Sequence, residues 1–154
     1  MKVFISYSAE DLSLVKWIGN QIEPHADVFY WANNKQPGAE AWTTIYSWID
    51  QSDLVLAVIT DSAVSRAMSV GQEIGRAKAK GKTVIPIVTP NVSSSELGCL
   101  SETTYQKIDS ENPGVALNAI KQVILAKKQS LENQQTMFFV VGGVLMLLLL
   151  TSKE

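Results

Sequence analysis

The feature that most constrains the fold is a set of short, mainly apolar runs, each followed by polar residues and then by a helical pattern. Residues 3–5 form one such run, and residues 54–59 and 83–88 form two more. Runs without polar alternation are typical of strands that are buried on both faces of a parallel sheet. Ser8 and Asp11 follow the first run at the spacing of an approximate capping box, which predicts that a helix starts there.

Between these strands, apolar residues recur at helical spacing. Further strands are predicted over 27–31 and 104–108, and Pro113 opens a last helix behind Asn112. The order is therefore β-α-β-α-β-α-β-loop-β-α. This alternation predicts an α/β fold with five parallel strands, right-handed crossovers and helices on both faces. Ligands bind such sheets at the carboxyl ends of the strands, so Ser6, Tyr7 and Ser8 are expected at the rim of a site.

Composition excludes several classes of site and partner. The chain has 154 residues, of which 46% are hydrophobic and 18% charged, and its formal net charge is −2. A net negative charge argues against nucleic acid as the main partner. The single cysteine, Cys99, excludes an internal disulfide and a cysteine-based metal cluster. No metal site is expected, and a reducing compartment is the natural inference.

The last part of the sequence predicts a membrane anchor. Residues 137–150 (MFFVVGGVLMLLLL) are all apolar or glycine, and no charged residue occurs from 133 to 152. Twenty helical residues cover about 30 Å, which is one hydrocarbon thickness. We therefore expect a transmembrane helix over 137–152, preceded by a linker over 129–136. Lys127 and Lys128 place the preceding domain on the cytoplasmic side of the cell membrane, and the alternative is a buried core helix.

Several short motifs occur in a specific order before this segment. They are FISYS in the first strand, Gln36-Pro37-Gly38 after the second strand, Ala41-Trp42 at a helix start, Ser52-Asp53 before the third strand, and Gln72-Glu73-Ile74 ahead of GKTVIPI. Together they resemble the Toll/interleukin-1 receptor (TIR) domain in its bacterial form. The resemblance covers roughly residues 2–128, so we assign residues 1–128 to this domain. It implies a flavodoxin-like sheet, as the strand pattern already requires.

The resemblance also implies a chemistry. Some members of the family cleave NAD⁺ at the nicotinamide–ribose bond, and these depend on a glutamate of the third helix, which falls on Glu73. A carboxylate there would stabilise an oxocarbenium-like ribose by charge and by hydrogen bonds to the ribose hydroxyls. We expect Glu73 in the first turn, where the helix dipole would keep it ionised. The alternative is that Glu73 is simply a favourable acid near a helix start.

Other residues are implied as substrate contacts by their place in the family's pattern. Two stretches depart from that pattern, because Trp31-Ala32-Asn33 replaces an acidic or arginine–aspartate pair and residues 67–70 lack a common Trp or Cys. Trp42 is expected to be a core anchor, although the same position borders the nucleotide pocket in the family, and Lys35 has the alternative role of a solvated side chain. The complete set is Tyr7, Ser8, Trp31, Asn33, Lys35, Gly38, Trp42 and Ser65.

The leading functional prediction is a membrane-anchored, self-associating NAD⁺ glycohydrolase or cyclase with a role in antiviral defence signalling. NAD⁺ is its substrate rather than a cofactor, and its expected partners are other TIR domains and the lipid membrane. The first alternative is a non-catalytic TIR adaptor that works through homotypic assembly. The second is an enzyme like the nucleoside deoxyribosyltransferases, which share the fold class and also use a glutamate.

Overall fold

The computed structural model describes residues 1–33, 40–61, 68–109 and 111–151. Within these ranges the side chains of residues 68, 69, 94 and 138–151 lie outside the description. All statements below concern the described residues.

The described strands form one parallel sheet. The strands are β1 (Lys2–Ser6), β2 (Asp27–Phe29), β3 (Leu54–Ile59), β4 (Thr83–Val88) and β5 (Gln106–Lys107), and their order across the sheet is β2-β1-β3-β4-β5. All four neighbouring pairs are parallel, which confirms the predicted five-stranded sheet. The order reverses beside β1, so the switch point of the topology, where ligands bind in such sheets, is at the carboxyl end of β1.

Helices follow the strands as predicted. They are α1 (Leu12–Ile22), α2 (Ala41–Gln51), α3 (Met68–Ala79) and α4 (Pro113–Thr151), with 3₁₀ segments at Ala9–Asp11 and Ser94–Leu100. Strand β2 ends at Phe29, two residues before the predicted end at Trp31.

The sheet separates two apolar layers. Phe4, Val55 and Ala57 belong to a core cluster with Ile49 of α2 and Ile74 of α3. Successive residues of a strand point to opposite faces, so Val3 and Ile5, which are also fully buried, face the other layer. The buried apolar side chains of α1, which are Val15, Ile18 and Ile22, lie outside this cluster of α2 and α3 (the α2–α3 cluster). Ser6 has the same parity as Phe4 and therefore faces α2 and α3.

The predicted capping box is wrong. Ser8 and Asp11 both occupy N-cap positions, and neither side chain makes a capping hydrogen bond. The Asp11 carboxylate instead accepts from Thr60 Oγ1, which lies 2.9 Å from each of its oxygens. The acid is therefore engaged at the carboxyl end of β3 rather than at its own helix start.

The chain divides into two compact units, residues 1–121 and residues 122–154. Helix α4 continues through residues 129–136, where a linker was predicted. Among the described residues, no helix combines the length and apolar character needed to cross a bilayer. The predicted span over 137–152 is thus not supported, and its side chains from 138 onward lie outside the described residues.

Candidate functional site

The candidate site is built around a buried carboxyl group on α3. Val70, Ile74 and Ala77 form the apolar stripe of this helix and are all buried, as their spacing of four and seven residues predicts. Glu73 lies next to this stripe and is only 7% exposed. Its side chain is therefore buried together with the apolar face of the helix and does not point to solvent.

Ser6, the last residue of β1, lies beside this carboxyl group. Burial raises the pKa of Glu73 to about 7, and the Ser6 hydroxyl lowers that pKa by a smaller amount. Ser6 Oγ is itself buried, and no described residue forms a hydrogen bond of full geometry with it. Such an unpaired hydroxyl is rare in a protein interior and is free to donate to a nearby group.

Glu73 is not held ionised by the helix dipole. It is the sixth residue of α3, and the first turn of that helix contains no acid. The dipole effect falls off within the first turn, so desolvation dominates and the pKa rises instead of falling. The prediction of an early-helix, ionised glutamate was therefore wrong about the electrostatics.

Tyr7 connects this carboxyl to the end of β2. Its hydroxyl accepts a hydrogen bond of 3.1 Å from the backbone N–H of Ala32, and its ring meets Tyr30 edge to face at 6.2 Å between centroids. Burial is the main cause of the raised pKa of Tyr7; the hydrogen bond from Ala32 lowers that pKa, and electrostatic interactions with Tyr30 and Glu73 raise it further. Tyr7, directly after β1, thus contacts the chain after β2 and lies close enough to Glu73 of α3 for an electrostatic interaction.

A sequence profile of the TIR domain matches residues 3–124. The chain belongs to the TIR domain family. No curated protein matches the chain.

Solved structures with the same fold include two other TIR proteins and one enzyme. A metazoan TIR-STING receptor from C. gigas, solved with 2′,3′-cGAMP, has 21% identity and a TM-score of 0.64, and the match covers 77% of this chain and 39% of that one. The chain thus spans about two fifths of that receptor. The TIR domains of the Roq1 resistosome, which recognises the effector XopQ, give 14% identity and a TM-score of 0.65 over 80% and 98% of the two chains.

The enzyme is a 2-deoxyribosyltransferase from Bacillus psychrosaccharolyticus. It has 15% identity and a TM-score of 0.60, with 79% of this chain and 90% of that chain covered. At such identities the likeness concerns the fold alone.

Two further residues predicted as substrate contacts in this TIR domain follow strand ends. Ser8 is buried, and its carbonyl accepts from the N–H of Asp11 at 2.8 Å. Trp31 is half-buried against the α2–α3 cluster, with its ring 6.0 Å from that of Trp48. Both side chains therefore have packing roles, whether or not they also contact a substrate.

Asn33 and Trp42 are more open. Asn33 is exposed, and its backbone N–H donates to the Tyr30 carbonyl at 3.1 Å. Trp42 is 38% exposed and packs on Tyr46, with 5.7 Å between ring centroids. The prediction that Trp42 is a core anchor was therefore wrong.

Three predicted contact residues, Lys35, Gly38 and Ser65, lie outside the described residues. The structure therefore brings Glu73 and Tyr7 together, with Ser6 as an additional polar neighbour. Among the residues described, no cluster of three or more His, Cys, Asp or Glu side chains could hold a metal ion.

The sequence reasoning missed a clamp that fixes α3. Arg76 forms a bidentate pair with Asp50 at the end of α2, through Nε to Oδ1 at 2.9 Å and Nη2 to Oδ2 at 2.5 Å. Its guanidinium also lies 5.3 Å from the centre of the Tyr46 ring. These partners are 26 residues apart in the chain, so no local pattern could have predicted the pair.

Proposed function

We propose that this TIR domain cleaves NAD⁺ at the bond between nicotinamide and ribose, with Glu73 as the catalytic carboxylate. The single observation that carries the proposal is the buried Glu73 carboxyl beside the end of β1, with its pKa raised to about 7. Strongly perturbed carboxyls at a sheet's topological switch point are typical of functional sites.

The charge balance of the site suits a cationic substrate. Among the described residues, no basic side chain contributes to the pKa shift of Glu73. An ionised carboxylate in such a place is costly unless a positive charge arrives with the ligand. The nicotinamide ring of NAD⁺ carries that charge, so substrate binding would favour the ionised form of Glu73.

The reaction needs little from the protein besides electrostatic stabilisation. The C–N bond to nicotinamide breaks, and its electron pair leaves with the ring, which becomes neutral. The ribose then carries oxocarbenium character, which an ionised Glu73 stabilises by charge and by accepting hydrogen bonds from ribose hydroxyls. Attack by water gives ADP-ribose and releases one proton, whereas attack by a group of the same molecule would give a cyclic product.

Ser6 and Tyr7 have supporting roles in this scheme. The unpaired Ser6 hydroxyl is available to donate to the Glu73 carboxylate once it ionises, which would hold it in one orientation. The Tyr7 hydroxyl already accepts from Ala32 and can still donate its own proton to a substrate oxygen.

The test is release of free nicotinamide from NAD⁺ by the purified chain. The Glu73→Gln variant keeps the shape of the side chain and removes its charge, so we expect it to lose at least about a hundredfold in rate, the scale of a lost charge-stabilising group. Glu102→Gln, at an exposed acid outside the site, is the matched control and should keep full activity. Equal rates for the wild type and Glu73→Gln would remove Glu73 from the mechanism.

The same assay separates the alternatives. A chain that folds but releases no nicotinamide at any concentration would support the non-catalytic TIR adaptor. The likeness to a deoxyribosyltransferase supports a second candidate reaction, exchange of bases on nucleosides, which is tested by incubating a deoxynucleoside with a second free base. The membrane anchor, the cytoplasmic location and the role in antiviral defence stay predictions.

A further inference from the structure

A second crevice opens at the carboxyl end of the sheet, away from the Glu73 carboxyl. It has a volume of about 450 Å³, which is within the usual range of small-molecule sites. We call it the α1–β5 crevice, since Leu14 and Trp17 of α1 form one wall and Ile108 and Asp109, directly after β5, form another. Among the described residues, Ser6, Tyr7 and Glu73 do not line it.

The base of the crevice is apolar and held by backbone hydrogen bonds. Ile108 is buried, and its N–H donates to the Val88 carbonyl at 2.8 Å. Thr89 is fixed by its own N–H, which donates to the Ile59 carbonyl at 3.2 Å, and by its carbonyl, which accepts from Val92 at 3.1 Å. The walls therefore belong to the sheet framework, so the crevice is formed before any ligand binds.

The polar groups of the crevice are mostly acceptors, and its charges are negative. Asp61 and Asp109 both line it, and no lysine or arginine does so among the described residues. Asp61 Oδ2 accepts from the Asn91 amide at 3.3 Å, and Asp109 Oδ1 accepts from the N–H of Glu111 at 3.0 Å. Neither carboxylate forms an ion pair within the described part of the chain, so each keeps an oxygen for a ligand.

Two other groups favour a ligand with both an apolar body and a donor. Thr89 Oγ1 is buried without a hydrogen-bond partner among the described residues, and a ligand donor or acceptor would satisfy it. Trp17 is 36% exposed, and its indole supplies a flat apolar wall that also attracts cations.

We propose that the α1–β5 crevice binds a small organic cation, a protonated amine or guanidinium on an apolar frame, between the Asp61 and Asp109 carboxylates and the Trp17 indole. The cationic head meets the two carboxylates at the rim, and the apolar frame covers Leu14 and Ile108 below. This site is separate from the proposed NAD⁺ site and does not depend on it.

The test uses 2-phenylethylamine, which is cationic at neutral pH, and its neutral and anionic counterparts 2-phenylethanol and 3-phenylpropionate. Binding is followed by chemical-shift changes of the full chain, read at the Trp17 indole N–H and the Thr89 amide. We expect saturable shifts with the amine only, and an affinity that falls as salt is added, because exposed charges are screened. Equal binding of the neutral alcohol, or no binding of the amine, would overturn the proposal.

Variants of the two carboxylates test whether the amine binds in this crevice. Asp61→Asn and Asp109→Asn should each weaken amine binding by about two- to fivefold, the scale of exposed ion pairs. Asp27→Asn, at an exposed aspartate of β2, is the control and should change nothing. If Asp61→Asn and Asp109→Asn both bind the amine like the wild type, the carboxylates do not recognise it and the proposal is wrong.

A lysine side chain on another protein presents the same ammonium group. N-acetyl-lysine methylamide, which carries that group on a blocked peptide unit, therefore serves as the comparison ligand. We expect it to bind no more tightly than 2-phenylethylamine, because the Trp17 indole packs favourably on an aromatic ring. Clearly tighter binding of the blocked lysine would contradict the proposal and indicate that the crevice binds a lysine side chain of another protein.

Discussion

At the scale of single residues, the chemistry depends on how strongly burial acts on Glu73. The group is 7% exposed, and the Ser6 hydroxyl only partly offsets the effect of desolvation on its pKa. A carboxyl that titrates near neutral pH is half protonated at rest, so a cationic ligand can shift it to the ionised form. When no cation is bound, ionisation of this buried carboxyl is costly and destabilises the folded state.

The stability of the fold is therefore expected to fall as pH rises. The folded pKa of Glu73 is about 7 and its ordinary value is 4.5, so between these values the folded state holds a proton that the unfolded state has lost. The contribution of protonated Glu73 to the free energy of unfolding is fully present below about pH 4.5. It is lost as the pH rises through 7, which lowers the free energy of unfolding by about 3 kcal/mol. Urea unfolding at pH 5, 6, 7 and 8 measures it.

The Glu73→Gln variant isolates this effect, since glutamine does not titrate. Its stability should change much less over the same range, so that the variant exceeds the wild type at pH 8. The exposed Glu102→Gln control should follow the wild type. Parallel curves for the wild type and Glu73→Gln would mean that the carboxyl has an ordinary pKa and is not desolvated.

At the scale of elements, α3 places the carboxyl, and the clamp between Asp50 and Arg76 holds α3 against α2. Arg76 lies three residues after Glu73 on this helix and makes two hydrogen bonds to Asp50. Lys82, just after α3, adds a bond of 2.7 Å from Nζ to the Asp50 carbonyl. A helix tied in this way resists the rotation that would bring a buried carboxylate to water.

Arg76→Met should therefore loosen the position of Glu73 without touching it. Water would reach the carboxyl more easily, so its pKa should move from about 7 back toward 4.5, and the NAD⁺ cleavage rate should fall. Arg76→Lys keeps the charge but loses the bidentate geometry and should give an intermediate result. The pKa is read by NMR titration of the Glu73 side chain, and a pKa that stays unchanged in Arg76→Met would show that the clamp has no positioning role.

Most elements of the fold were predictable because they depend on local patterns. Burial of β3 is predicted by the uninterrupted apolar run over 54–59. Burial of one face of α1 is predicted by the helical spacing of Val15, Ile18 and Ile22. The capping box failed because Asp11 is drawn to Thr60, which is 49 residues away in the chain. The raised pKa of Glu73 and the Asp50–Arg76 pair were not predicted for the same reason. Both depend on which elements pack together in space.

At the scale of the whole molecule, the activity is expected to depend on self-association. Under the proposed function, we expect a neighbouring copy of the chain to contribute to the site. The rate per molecule should therefore increase with protein concentration, because association supplies the missing contacts. Turnover measured from nanomolar to micromolar protein tests this, and a rate strictly proportional to enzyme over that range would contradict it.

The pH profile of kcat/KM for NAD⁺ tests the central claim most directly, because it reports the pKa of the essential group in the free enzyme. We predict that kcat/KM rises with pH, with an inflection near the Glu73 pKa of about 7, and that Glu73→Gln loses both the inflection and the activity. Absence of nicotinamide release at every pH, or a Glu73→Gln profile that matches the wild type, would contradict the account.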